Sequence, residues 1–398
     1  MTITFGRKGN TYGLCMLIFI LLFQTAMQNQ IPFLSYLDEI VAMIGMILGI
    51  GYLKHLSVPT KKIIMCISIF MMMGIAGNLI YKTQRLDATV FDAFINLKFF
   101  FALIFGYSLS NNYDKKILEN FIKFLVIVFF IGTIAYYAFG IFPTFEVRFG
   151  IRSLQLFFGH PSYLAGECVF LISMLCFVSD KRNPSVYIIL LLMMLTLTLR
   201  TKAIAAGLVF YFFYFVFKGK IKKRYIVYAV LLVALVGYDR FSTFYGGSVE
   251  SARNMLLINS FKVASDLFPF GAGFATYGSY YSGVFYSPLY NQYGLNTIWG
   301  LTPDYPIFIS DTFWPMVMGQ NGYIGAMFYI FGICEILKIC IKKLKNTKLI
   351  FSALFPMIYL LLISIAESSF VNPIAVPLAF CMGLTLKDRK IMEMKMSE

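Results

Sequence analysis

The chain has 398 residues, of which 59% are hydrophobic and 13% charged, and its mean hydropathy is +0.75. Soluble domains are about one quarter charged, so this composition excludes an ordinary soluble protein. The formal net charge of +15 does not indicate nucleic-acid binding, because most basic residues lie in short segments between apolar runs, where they set membrane orientation. The sequence therefore predicts an all-α, polytopic integral membrane protein with one membrane domain over residues 1–398.

Twelve apolar runs predict about twelve transmembrane helices. The predicted spans are 11–28, 36–53, 63–80, 91–109, 121–141, 161–179, 185–199, 203–217, 225–238, 315–337, 349–366 and 372–386. Several are shorter than the ~20 residues that a helix needs to cross a bilayer. Those helices therefore extend into flanking residues or stop part-way around a cavity.

The distribution of Lys and Arg predicts the orientation. With the amino terminus inside, 24 of the 34 basic residues fall in inner segments, 9 fall in outer segments, and Lys98 lies within a span. Every predicted inner segment is basic, so the positive-inside rule predicts that both termini are cytoplasmic.

The longest segment outside the apolar runs is 237–314, a predicted extracytoplasmic loop between spans nine and ten. Within it, Ser248–Phe268 predicts a surface helix that Ser248 caps. The predicted apolar stripe of that helix consists of Leu257, Phe261, Ala264 and Phe268. From Pro269 onward the loop is rich in Gly, Tyr, Ser and Pro, which predicts irregular structure. Its aromatic and hydroxyl groups suit contact with sugar rings or anchoring at the membrane interface.

Arginines on the predicted outer side are candidates for binding an anion. Outer cations are the minority in this chain, and a diphosphate on a membrane lipid would explain them, because the planar guanidinium matches phosphate oxygens. The candidates are Arg200 at the end of span seven, Arg253 in the surface helix, and Arg148 and Arg152 before span six. The alternative for each is an ordinary snorkelling anchor.

Two further residues are candidates for proton transfer. Asp311 lies just before span ten, and His160 lies at the start of span six. Either is a candidate general base for a hydroxyl group. The alternative for both is a cap at the start of the following helix.

Acidic and basic residues also occur within or beside the spans. Glu167 and Lys98 lie inside spans six and four, and pairing of the two would offset the cost of charge in the membrane. Asp38 and Glu39 open span two and are interpreted as structural. The sequence contains no Walker motif, nucleophile elbow or metal-ligand pair, and it predicts neither a metal nor a cofactor.

Three stretches of the sequence together resemble the O-antigen polymerase and O-antigen ligase superfamily of bacterial envelope glycan assembly. LTLRTKAIAAG resembles the family's Leu/Thr-rich span that ends in Arg and small residues, and it contains Arg200. SARNMLLINSFKVASDLFPFGAGFATYG resembles the segment in which an arginine begins a helix before a Pro-Phe-Gly-x-Gly turn, and it contains Arg253. SDTFWPMVMGQNGYIGAMFY resembles the closing segment, in which Gly322 and Gly325 match a Gly-x-x-Gly pattern. The number of spans and the late outer loop also agree.

The resemblance implies a fold like that of the GT-C membrane glycosyltransferases, in the bacterial inner membrane. It implies a metal-independent, inverting transfer of a growing glycan from undecaprenyl diphosphate to a lipid-linked repeat unit. The implied partners are the undecaprenyl-diphosphate-linked oligosaccharide and membrane lipid, with a chain-length regulator and a flippase as further candidates and no nucleic acid. Ligases carry a histidine, usually followed by Asn, where this chain has Asp311 and Thr312. This difference favours a polymerase over a ligase.

Three alternatives remain at this point. Ligase-like transfer to another acceptor would use a similar site. A flippase or transporter would show repeated halves and charges near the bilayer midplane. An accessory scaffold of an envelope complex would carry no chemistry.

Overall fold

The described part of the chain is mainly helical, and its strands form one short β-hairpin. The structure is a computed structural model that describes residues 6–28, 30–52, 58–109, 112–179, 185–216, 251–344 and 347–395, with isolated positions between 224 and 242. The predicted ninth span, 225–238, lies almost entirely outside the described residues. The first part of the predicted loop, 243–250, including Ser248, also lies outside them.

The helices follow the predicted spans in order. They are α1 (Arg7–Met27), α2 (Leu37–Tyr52), α3 (Val58–Tyr81), α4 (Leu86–Ser108), α5 (Lys115–Phe139), α6 (Pro161–Val178), α7 (Ser185–Leu197), α8 (Thr201–Tyr211), α9 (Ala252–Asp266), α10 (Tyr280–Val284), α11 (Pro288–Gln292), α12 (Phe313–Lys343), α13 (Thr347–Ile363) and α14 (Ala375–Lys395). Between α5 and α6, the antiparallel strands β1 (Val147–Arg148) and β2 (Ile151–Arg152) form the hairpin.

The prediction of an all-α, multi-pass membrane protein is confirmed. Among the described residues, seven helices are long and apolar enough to cross a membrane, namely α1 to α6 and α12, and α7, α8, α13 and α14 are shorter apolar helices. The side chains of Phe124, Ile127, Ile131 and Ile134 are exposed along α5. Their spacing of three or four residues places them on one face of the helix. An apolar stripe of this kind is suited to lipid. The total of twelve spans remains a prediction.

Several of the predicted inner segments meet at one end of the helical bundle, within the described residues. Arg7 before the first span donates to the carbonyl of Tyr113, which precedes α5 (3.3 Å). At the same end, Lys387 donates to the carbonyl of Ser108 (2.9 Å), and Lys348 donates to the carbonyl of Ser179 (3.0 Å). The two lysines satisfy backbone carbonyls at the carboxyl ends of α4 and α6, where a cation is favourable. Which side of the membrane this end faces remains a prediction from the charge distribution.

Helix α6 forms the centre of the bundle. Nearly all of its residues are buried, and it packs against α5, α7, α13 and α14. Beside it, α4 and α14 cross closely, because a Cβ atom at Gly106 would collide with the Phe380 carbonyl and one at Gly383 with the Leu103 carbonyl. Small residues allow such close contact between membrane helices. The start of α6 is thus held rigidly at the predicted outer end.

The charged residues within the spans do not pair as expected. The Lys98 ammonium lies 2.5 Å from the Asp38 carboxylate and 3.4 Å from Glu39, and the Gln24 amide donates to Asp38 (2.8 Å). The expected pair of Lys98 with Glu167 is therefore wrong. Lys98 and Asp38 are both buried, so their ion pair compensates charge between α2 and α4. This contact supports the structural interpretation of Asp38.

The helix predicted in the large loop is confirmed as α9. Ser251 caps it, because its hydroxyl accepts a hydrogen bond from the Asn254 amide (3.3 Å). Of the predicted apolar stripe, Ala264 is buried, whereas Phe261 and Phe268 are exposed. The buried face instead consists of Leu256, Asn259, Ser260, Val263 and Ala264.

Residues 251–312, called the loop module below, have a hydrophobic core of their own. That core consists of Leu256, Val263, Ala272, Tyr277, Leu289, Tyr290, Leu295, Ile298, Leu301 and Ile309. The Tyr277 hydroxyl donates to the Leu256 carbonyl (2.6 Å), and the Tyr290 hydroxyl accepts from the Gly278 amide (2.8 Å). The expectation of an irregular, sugar-facing segment is therefore wrong for these two tyrosines, which stabilise the module from inside.

The loop module docks into a break in α12. Gly322 has φ +63°, which interrupts the helix. The carbonyls of Gly319 and Gln320 then accept hydrogen bonds from the backbone amides of Ala272 (2.9 Å) and Gly273 (2.8 Å). A helix break inside an apolar bundle leaves backbone groups that need partners, and the module supplies them.

Two side chains from neighbouring helices complete this docking. Asn78 on α3 accepts from the Phe274 amide (2.7 Å) and donates to the Phe274 carbonyl (2.9 Å). Asp92 on α4 accepts from the Ala275 amide (2.7 Å) and from the Gln320 side chain (2.8 Å). The module is thus bonded to α3, α4 and α12, which fixes its position relative to the bundle.

We expect Gly322→Ala to destabilise the protein by about 1–3 kcal/mol, the usual range for a strained backbone position. An L-residue is strained at this φ, and a Cβ would lie 2.9 Å from the Pro269 carbonyl oxygen. Thermal unfolding of the purified protein in detergent measures the effect. Gly13→Ala in α1 is the matched control, because a Cβ there meets no atom within 4 Å among the described residues. Equal melting temperatures for the two variants would contradict the proposed role of the break.

Candidate functional site

The candidate residues from distant parts of the sequence meet at the predicted outer end of the bundle. We call this group the charged cluster, and its members are Glu146, Arg148, His160, Arg200, Lys202, Arg253, Asp311 and Glu367. The side chains of its ion pairs are between 17% and 29% exposed. Charges this poorly solvated interact more strongly than ordinary surface ion pairs. Five of the six predicted site residues belong to this cluster, in two groups that lie close together.

Two arginines share one carboxylate in the first group. Glu146, just before the hairpin, lies 3.0 Å from the Arg148 guanidinium and 3.0 Å from the Arg200 guanidinium. Arg148 also donates to the Leu199 carbonyl (3.1 Å), which immediately precedes Arg200. The hairpin therefore packs its charges against the junction between α7 and α8, and Arg148 belongs to the cluster.

His160 caps α6 and contacts Arg200. Its Nδ1 accepts a hydrogen bond from the Ser162 amide (3.1 Å), and its Nε2 lies 3.1 Å from an Arg200 guanidinium nitrogen. Burial and then the neighbouring Arg200 charge lower the pKa of His160 to about 4. The imidazole is therefore neutral at neutral pH, and its geometry matches the expected capping alternative.

Lys202 and Glu367 extend the first group towards the loop after α13. The Lys202 ammonium lies 2.7 Å from the Glu367 carboxylate. The Ser162 hydroxyl donates to the same carboxylate (3.4 Å), so the pair is tied to the first turn of α6. Glu367 thereby joins the starts of α6 and α8.

Arg253 and Asp311 form the second group. Their side chains meet at 2.7 Å, which joins the first turn of α9 to the residue before the cap of α12. The Ser368 hydroxyl donates to the Ser310 carbonyl, so this pair lies beside the segment that carries Glu367. Both groups therefore lie near the segment that carries Glu367, which pairs with Lys202 in the first group.

Asp311 has an unusual electrostatic environment. Burial raises its pKa above the ordinary value, and the positive charges of Arg253 and Lys202 only partly oppose that change, while Glu367 adds to it. Lys202 and Glu367 are thus close enough to influence Asp311. A carboxyl with a raised pKa binds a proton more readily, so it is a better general base than an ordinary aspartate.

Four helices begin at the charged cluster. His160, Arg200, Ser251 and Thr312 are the capping residues of α6, α8, α9 and α12. A helix start carries partial positive charge, because its first amide N–H groups have no partner within the helix. The helix starts and four cations therefore create a positive region that three carboxylates only partly neutralise. Such an arrangement favours an anionic ligand.

Arg152 lies apart from the charged cluster. Its guanidinium donates to the carbonyls of Tyr136 and Tyr137 (3.0 Å each) and lies over both rings. These carbonyls belong to the last turn of α5, where a cation stabilises the helix end. The expectation that Arg152 binds a diphosphate therefore finds no support in its contacts.

Glu146 and Glu367 were not candidates from the sequence, although both hold predicted site residues. Their positions in the sequence could have identified them, because each is an acidic residue at the outer end of an apolar run. Among the described residues, no group of three or more His, Cys, Asp or Glu side chains is arranged to hold a metal ion.

Comparison with known proteins gives no relative for this chain. No protein-family model matches the sequence, and no curated protein matches it.

Proposed function

We propose that this protein is a polysaccharide polymerase of a bacterial inner membrane. It transfers the growing glycan from undecaprenyl diphosphate to a lipid-linked repeat unit on the outer face. The charged cluster is the single observation that carries the proposal, since helix starts and cations converge there at the mouth of an apolar bundle. The motif resemblance supplies the glycan and the lipid carrier.

A diphosphate suits the cluster because it can replace the carboxylates now bound to the arginines. Glu146 sits between two guanidinium groups, as a phosphate oxygen would, and Asp311 holds Arg253 in the same way. Phosphate carries more negative charge than a carboxylate and offers more acceptor atoms, so guanidinium groups can pass from one to the other. In this proposal the carboxylates hold the arginines in place until the lipid arrives.

The same exchange would activate the general base. When Arg253 turns to the diphosphate, the interaction that lowers the pKa of Asp311 is lost, while its burial remains. Asp311 then accepts the proton of the acceptor hydroxyl as that oxygen bonds to the anomeric carbon. The bond from the anomeric carbon to the diphosphate breaks, and Arg200 and Arg253 stabilise the charge that develops on the leaving group.

His160 has a positioning role in this scheme. Its neutral ring contacts Arg200, and its Nδ1 is engaged by the Ser162 amide. With a pKa of about 4, it carries too little basicity to take a proton efficiently near neutral pH. Asp311 is therefore our choice for the base.

One observation bears on the transporter alternative. Broken helices such as α12 are common at the binding sites of transporters. Here the carbonyls freed by the break at Gly322 already accept hydrogen bonds from the backbone amides of Ala272 and Gly273. These contacts favour a role for the break in holding the loop module over a role in binding a solute.

We expect Arg253→Lys to reduce polymer formation at least about 100-fold, because an ammonium cannot replace two-pronged contact with a leaving diphosphate. The assay uses purified protein in proteoliposomes with lipid-linked repeat unit and follows the ladder of products. Arg85→Lys is the matched control, since Arg85, like Arg253, pairs with a carboxylate but is exposed and lies outside the cluster. A full ladder from Arg253→Lys at normal melting temperature would argue against the proposal, as would no ladder from the unaltered protein.

We expect Asp311→Asn to lower the polymerisation rate by about 10²–10⁴-fold while leaving lipid-diphosphate binding intact. The base must be ionised, and its folded pKa is raised, so the rate of the unaltered protein should fall as pH drops through that raised value. His160→Asn retains a capping side chain and is the control. In His160→Asn, the rate should fall at the same low pH as in the unaltered protein. If His160→Asn instead shifted the fall in rate at low pH, and Asp311→Asn were fully active, His160 would be the general base and Asp311 would not.

A further inference from the structure

An exposed group of aromatic rings lies on the loop module close to the charged cluster. Trp299 is 68% exposed and Tyr305 is 45% exposed. The Trp299 ring centroid lies 5.8 Å from that of Tyr305 and 5.1 Å from that of Phe308. We call these three residues the aromatic platform.

The platform is held in a fixed conformation. The Phe308 amide donates to the Gly300 carbonyl (2.9 Å), and a bridge pairs Thr302 with Tyr305. Beneath them, the Tyr286 hydroxyl donates to the Leu301 carbonyl (2.7 Å), and Leu301 is buried in the core of the module. Rings that are fixed before binding lose little conformational entropy when a ligand stacks on them.

The platform is continuous with the proposed active site. The Asp311 amide donates to the Phe308 carbonyl (3.2 Å), so the last ring and the proposed base belong to one turn. Ser310, inside that turn, accepts from Ser368, the neighbour of Glu367. A ligand that reaches Asp311 can therefore also reach these rings.

The charge of the platform loop distinguishes between two uses of exposed aromatic residues. Proteins that attach to an anionic bilayer surface usually carry lysine or arginine beside the aromatic residues. The platform loop itself has no such residue, because the sequence from 263 to 337 contains neither lysine nor arginine, and Asp304 is exposed at its tip. Arg253 of the adjacent charged cluster is paired with Asp311. A flat apolar ring beside a carboxylate instead matches a sugar ring, which has C–H groups on its face and hydroxyl groups around its edge.

We propose that the aromatic platform binds a sugar ring of the lipid-linked glycan. The Trp299 ring stacks on the apolar face of the sugar, and Asp304 accepts hydrogen bonds from its hydroxyl groups. This site deepens the proposed function, on which the identity of its ligand rests. It supplies a binding site for the carbohydrate, separate from the cationic site for the diphosphate.

Tryptophan fluorescence reports on this site directly. The chain has two tryptophans, and the indole N–H of Trp314 donates to Ser364 within the bundle (2.9 Å). In a Trp314→Phe protein, Trp299 is the remaining source of signal. We expect the lipid-free oligosaccharide repeat unit to change its fluorescence in a saturable manner, and Tyr305→Ala in that background to weaken binding several-fold, up to about tenfold. Phe268→Ala, an exposed aromatic on the module outside the platform, is the control.

Nanodiscs that contain brominated lipids test the membrane alternative with the same protein. We expect these lipids to leave Trp299 fluorescence unquenched. Strong quenching by the lipids, together with no response to the oligosaccharide, would identify the platform as a membrane anchor and overturn the proposal.

Kinetics separate failure of this site from failure of the proposed function. If the protein polymerises, Trp299→Ala should raise KM for the repeat unit about tenfold with little change in kcat. An unchanged KM would contradict sugar binding by the platform but would not contradict the polymerase activity. Oligosaccharide binding at Trp299 without any polymer would support the platform and contradict the polymerase.

Discussion

Charge at the mouth of an apolar bundle must be compensated, and in this protein carboxylates compensate the positive charge that helix starts and basic side chains bring together. Four helices begin at one place, and each brings amide N–H groups without helical partners. Arg200 and Arg253 add full positive charges to that region. Glu146 balances Arg200, Asp311 balances Arg253, and Glu367 balances the neighbouring Lys202, through contacts of 2.7–3.0 Å. The carboxylates stabilise the cluster, and an anionic ligand able to take over their contacts would be stabilised by the same groups.

The loop module brings the second arginine to this place. Arg253 lies on α9, which packs against α12, and the module is fixed by the break at Gly322 and by Asn78 and Asp92. A hydrogen-bonded module with its own core can hold Arg253 opposite Arg200 more firmly than an extended loop could. The buried polar contacts of the module therefore help to position one guanidinium and the adjacent aromatic rings.

Much of the fold could be predicted from the sequence, because apolar runs in a membrane protein report helices directly. Arg200, His160, Arg253 and Asp311 were identified because each lies where a helix starts on one predicted side, and such ends gather in a bundle. Their partners could not be predicted, since the contact between Glu146 and Arg200, or between Lys98 and Asp38, depends on helix packing. The direction that Phe261 and Phe268 face could not be predicted for a related reason. In a membrane protein, an apolar stripe can face lipid as well as a core, and periodicity alone does not distinguish the two. Similarly, tyrosine content indicated a sugar-facing loop, but the module buries Tyr277 and Tyr290 to build its own core.

The most direct test of the central claim compares the affinities of undecaprenyl diphosphate and undecaprenol for the purified protein in nanodiscs. The two lipids share their apolar chain and differ in the headgroup. If the charged cluster binds a diphosphate, the diphosphate lipid will bind at least tenfold more tightly, and the difference will shrink as salt is added. Equal affinities at low salt would contradict the account.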